Sequence, residues 1–86
     1  MSQLSNLKQQ INQVAEDARN TAQGLAAFSS KFSQAIAQIQ ALIGGTAKGT
    51  DKHLISTLQT ADKEVKTAVQ ALQSASKSAK DWAAQA

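Results

Sequence analysis

The sequence predicts an all-α fold: an antiparallel two-helix hairpin with coiled-coil-like packing, assembling into a four-helix bundle. Three observations carry this. Apolar residues recur at alternating steps of three and four through two long stretches. Between the stretches lies one short segment rich in glycine. Proline is absent, and Ala, Gln, Ser and Lys dominate the composition. Ala, Gln and Lys lose little rotamer freedom on entering a helix.

The first stretch runs Leu4, Leu7, Ile11, Val14, Ala18, Thr21, Leu25, Phe28, Phe32, Ala35, Ile39 and Leu42, with only Thr21 polar. It predicts a helix over about 2–43, capped by Ser2. Gly24 and the Ser29-Ser30 pair are its soft positions, where a gentle kink is conceivable. The segment 44–50 is expected to form the connection. Gly44 and Gly45 suit the left-handed backbone that ends a helix. The second stretch runs Leu54, Leu58, Ala61, Val65, Ala68, Leu72, Ala75, Ala79, Trp82 and Ala86. It predicts a helix over about 51–84, with Thr50 as its N-cap and Asp51 at the positive end of its dipole.

Steps averaging 3.5 residues keep one stripe turned toward a partner helix. A short connection allows only an antiparallel return. Residues whose numbers sum to about 95 then lie side by side. Phe28 and Phe32 would meet Ala61, Val65 and Ala68, and Trp82 would meet Ile11 and Val14. Val65→Asp would bury an unpaired charge in that seam and unfold the hairpin.

The heptad letters used below place Leu4 at a in the first helix and Leu58 at a in the second. The stripe above is then the a and d lines. The e line adds Ala15, Ala22, Ile36 and Ile43 in the first helix, and Ile55, Val69 and Ala83 in the second. A stripe wider than a and d marks a helix that packs on more than one neighbour. Ile36, Ile43, Ile55 and Val69 are therefore expected to face outward as the interface with a partner. The alternative is that they widen the intramolecular seam. On the outward reading, Ile36→Asp would weaken assembly and leave much of the helix.

The polar residues point to no catalysis. His53 is the single histidine and there is no cysteine, so a metal site lacks ligands. Carboxylates sit beside lysines at helical spacing, as Asp62 does with Lys66, which is ordinary surface support. The loop order Lys48-Gly49-Thr50 is wrong for a phosphate loop. No enzyme activity and no cofactor are expected. The 86 residues fit one domain, 1–86, and the formal net charge of +3 is too weak to name a partner. Lys52, Lys63, Lys66, Lys77 and Lys80 share the outer b and f positions of the second helix. A polyanion-binding role for them is an alternative, although no nucleic-acid motif is present. No apolar run is long enough for a membrane span. No cleaved secretory signal is legible at the start, so a cytoplasmic location, or export without such a signal, is expected.

A signal-free chain of this length, with two long helices joined at Gly44-Gly45 and an aromatic residue, Trp82, near its C-terminus, resembles the small helical-hairpin substrates of type VII secretion. Those proteins are named for a Trp-x-Gly turn. Here the turn reads Leu42-Ile43-Gly44-Gly45, without the tryptophan. Their export signal places an acidic residue four positions after a tyrosine, and here Trp82 is followed by Ala83-Ala84-Gln85-Ala86. The resemblance implies a non-enzymatic protein that dimerises with itself or a related hairpin. It also implies a role as a substrate or export partner, in association with a secretion component or toxin. A structural or adaptor hairpin unrelated to secretion is the alternative.

Overall fold

The structure, a computed structural model, describes residues 2–43 and 49–86. It is an all-α hairpin of α1 (Gln3–Ile43) and α2 (Gly49–Gln85). The turn glycines Gly44 and Gly45 lie outside the described residues. Ser2 caps α1 as expected: its Oγ accepts a hydrogen bond from the Ser5 N–H at 3.1 Å. Helix α1 runs without interruption through Gly24 and Ser29-Ser30. Thr50, the expected N-cap, is already inside α2, which starts at Gly49. A helix's first N–H groups need no intrahelical partner, so an extra residue or two adds little strain.

The chain returns antiparallel, within one helical turn of the expected register. Moving along α1 from Ala15 to Ser29, the opposing residue moves back along α2 from Ser76 to Asp62. The hairpin is a rod with extents of 67 × 17 × 14 Å.

What differs from expectation is the roll of each helix about its own axis. The deepest residues are not on the a and d lines but on the e line. Ala15 and Ala22 are 0% and 1% exposed, Ile36 is 6% exposed, and Ser29, Asp62, Ser76 and Ala83 are buried. The a residues Ile11, Ala18, Leu25, Phe32 and Ile39 are half-buried beside them. The d residues Leu7, Val14, Phe28 and Leu42 are exposed, Val14 by 62% and Leu42 by 87%. The intramolecular seam is thus e and a, one step round the helix from the a and d seam.

Residue size explains the roll. Ala15, Ala22 and Ser29 let the two backbones approach closely, and Ser76 Oγ reaches the Ala15 carbonyl at 2.8 Å. Large d side chains in that place would hold the helices apart. Ala22→Leu tests this directly. It adds three heavy atoms at a fully buried position and should destabilise the hairpin by about 1–3 kcal/mol, read as a lowered thermal midpoint by circular dichroism.

Candidate interaction surface

The roll gives the hairpin two unlike long faces. One carries the b, e and f positions and is grooved and polar. The other carries the a and d lines of both helices.

The polar side is organised around Asp62. Its carboxylate lies in the seam, buried, and accepts bonds from Ser29 Oγ and Ser33 Oγ, both at 2.7 Å. Lys66 Nζ closes on the same carboxylate at 3.0 Å. The two serine hydroxyls and the lysine hold the Asp62 carboxyl down at about 2, against an ordinary value of 3.8. This group also fixes the register. A slip of one heptad would set Asp62 against Ile36 or Ala22 in place of Ser29, and a carboxylate facing apolar side chains is costly.

The sign of the pH dependence follows from that lowered value. The stabilisation from Asp62 is fully present above the ordinary carboxyl range and is lost as pH falls through about 3.8 toward 2. Asp62→Asn should flatten this loss. Comparing the thermal midpoints of both proteins at about pH 5 and about pH 2 checks it. A variant with an unchanged acid slope would assign the acid sensitivity to other carboxylates.

Sequence reasoning read Asp62 as a surface partner of Lys66. The pair exists, but the carboxylate is also the centre of the interhelical network. Two facts could have revealed it: Asp62 lies on the e line between Ile55 and Val69, and the antiparallel register brings it to Ser29 and Ser33.

Lower on the same side, Glu16 bridges the helices. It meets Lys80 of α2 at 2.8 Å and Arg19 of its own helix at 3.1 Å. These two cations lower the Glu16 carboxyl below its usual range, the Lys80 hydrogen bond contributing most. Lys77 pairs with Asp81 at 2.8 Å, which raises the Lys77 ammonium above its usual range. Three of the five lysines on the outer face of α2 are therefore neutralised by carboxylates within the hairpin.

The interface residues expected from sequence need correction. Ile36 is buried between the helices, and Ile43, Ile55 and Val69 are half-buried along the same e line. They line the intramolecular seam and do not form an outward stripe. The wider stripe is real, but its two halves exchange places.

The opposite face is apolar and open. Leu4, Leu7, Val14, Phe28 and Leu42 of α1 and Leu54 and Trp82 of α2 are all exposed. Phe28 and Phe32 stack there with ring centroids 5.5 Å apart. Trp82 stands at the C-terminal end of α2, 40% exposed, and Val14, its expected partner, is mostly in solvent. No large side chain among the described residues is fully buried. The most deeply buried positions of the seam are thus mainly small or polar, with Ile36 the exception, while several large apolar side chains of the d line stay exposed.

The surface area makes the same point. A compact monomer of 9.0 kDa exposes about 4,850 Å², whereas this chain exposes 6215 Å². Among the described residues no helix is long and apolar enough to cross a membrane. Nor does any group of three His, Cys, Asp or Glu side chains there come together as a metal site would require.

No protein-family model, curated protein or solved structure matches the chain.

Proposed function

We propose that this chain is a non-enzymatic interaction protein whose a and d face docks on another helical hairpin to complete a four-helix bundle. The observation that carries the reading is the position of the large apolar side chains. They are exposed along one side of a rod whose most deeply buried residues are alanine, serine and aspartate together with Ile36. Contiguous apolar patches of this extent on small proteins mark interaction sites. A second hairpin offers the matching shape, because a and d lines on four helices close into one core.

The role in type VII secretion is proposed from the resemblance of the turn region and of Trp82 near the C-terminus. The chain would act there as a substrate or as the export partner of a related hairpin or toxin. Its appearance in culture medium, lost when the secretion ATPase is removed, would support that role. Appearance independent of the ATPase would count against it. The polyanion reading is weakened by the internal pairing of Lys66, Lys77 and Lys80.

The docking reading is tested on the purified chain by binding of an apolar fluorescent dye together with sedimentation equilibrium. Assembly at higher concentration, or a helical monomer that binds the dye, supports an open apolar face. A helical monomer that does not bind the dye would mean that the helices have rolled to enclose their large side chains, and the reading would fail.

A further inference from the structure

The seam that joins α1 to α2 is uneven along the rod. On the loop side of Gly24 it holds large apolar side chains. Phe32, Ile36 and Ile39 of α1 lie there with Ile55, Leu58 and Val65 of α2, all buried or half-buried. The Asp62 carboxylate and its two serines belong to the same half. Toward the free ends, from Ala22 and Leu72 outward, the a and e lines change character. Beyond Leu72 itself, Ile11 is the one large apolar side chain covered there among the described residues. The other covered positions of the two lines are Lys8, Ala15, Ala18, Ser76, Ala79 and Ala83. Buried apolar area is what holds two helices together, so the loop half is bound far more tightly than the outer half.

We propose that the hairpin opens in two stages, the outer half (residues 3–22 and 72–85) parting as a unit while the loop half stays closed. This rests on the reading of the a and d face as a docking surface, and divides that surface in two. Phe28, Leu42 and Leu54, all exposed, form a pad held in place before docking. Leu7, Val14 and Trp82, also exposed, stand on the arms of a clamp. A partner that covers them binds the closed arms better than the parted ones, and so draws the arms together.

Chain connectivity favours the same order. The helices are joined at the loop end, so contacts there close over the shortest span of chain, and those at the free ends over the longest. The bonds that cross the outer half are slight. Ser76 Oγ reaches the Ala15 carbonyl at 2.8 Å, and Lys80 meets Glu16 in a partly exposed pair. Exposed pairs of that kind stabilise little. Gly24 stands at the border of the two halves, inside a helix, where glycine is unfavourable. Nothing in the packing calls for it, because a Cβ at Gly24 would meet no atom within 4 Å. A glycine there weakens α1 where the outer half must detach. Once parted, each arm is a helix of about twenty residues, only marginally stable in water, so its amides exchange.

The experiment is native-state hydrogen exchange of the full chain, at a dilution where it is monomeric, read segment by segment by mass spectrometry. Amides of residues 8–18 and 74–82 should exchange at least about tenfold faster than those of 30–39 and 55–65. Ile55→Val should speed the loop-half amides by about three- to tenfold and leave the outer ones within about twofold, because the outer half opens without breaking the Ile55 contacts. Ser76→Ala should speed both halves by about three- to tenfold, because full unfolding also breaks the Ser76 bond. Equal protection of the two halves would overturn the two stages. So would an Ile55→Val chain whose outer amides speed up as much as its inner ones, since that marks a single cooperative unit. Dye binding reads the docking surface separately. Dye binding with equal protection overturns the two stages and leaves the docking surface. The two-stage pattern without dye binding supports the two stages and overturns the docking surface.

Discussion

Ile36→Asp should unfold the hairpin. Ile36 is 6% exposed, in the seam between α1 and α2. A carboxylate there would lie one heptad from the Ser29 position that serves Asp62, and the nearby Ser33 hydroxyl is already engaged by Asp62. Losing the isoleucine from the seam removes about 2–3 kcal/mol of apolar burial. The unpaired charge adds a desolvation penalty of several kcal/mol unless it protonates. A hairpin of this size holds only a few kcal/mol of net stability in reserve. Circular dichroism at neutral pH should show most of the helical signal gone. A partial recovery in acid is expected, because a protonated carboxyl is cheaper to bury. A variant that kept full helicity and an unchanged thermal midpoint would show that Ile36 is not in the seam. The a and d stripe suggests the opposite for this substitution, a loss of assembly with the helix retained. The roll of α1 decides between the two.

Phe28→Asp should separate assembly from folding. Phe28 is 51% exposed in the hairpin and stacks only on Phe32 of its own helix. A carboxylate there stays in water in a lone chain, so the hairpin loses little. In the proposed four-helix bundle the same position is enclosed. Burial of the phenylalanine is worth about 1.5–3 kcal/mol. Losing it weakens association by at least about tenfold. Sedimentation equilibrium should therefore find assembly shifted to higher concentration than for the original chain. The helical signal at low temperature should be largely kept. Loss of helix in step with loss of assembly would mean that the hairpin cannot stand alone. Unchanged assembly would mean that the a and d face is not where the chains meet.

Ile36 and Phe28 also show how much of the molecule is legible in its sequence. The helices, their near-complete length and the antiparallel return follow from the spacing of apolar residues, the absence of proline and the glycine-containing connection. The Ser2 cap follows from its place before the first periodic residue. The register near Ser33 and Asp62 follows from the position of the connection alone. The Asp62 network was in the same text but hidden, because Asp62–Lys66 has the spacing of an ordinary surface pair. Only when the e line is known to be the seam does the carboxylate come to lie against Ser29.

The sequence by itself determined that two long helices form, that they return antiparallel, and that their apolar stripe is wider than the a and d lines. The tertiary structure alone decided which part of the stripe faces the other helix and which stays exposed. Periodicity fixes which residues share a stripe, but a roll of each helix from the a and d lines to the a and e lines leaves every spacing unchanged. Close packing breaks that tie. Ala15, Ala22 and Ser29 allow the backbones to approach until Ser76 reaches the Ala15 carbonyl and Asp62 reaches its two serines. Those short-range bonds form only at that approach, and it leaves Phe28, Val14 and Trp82 on the outside of the rod.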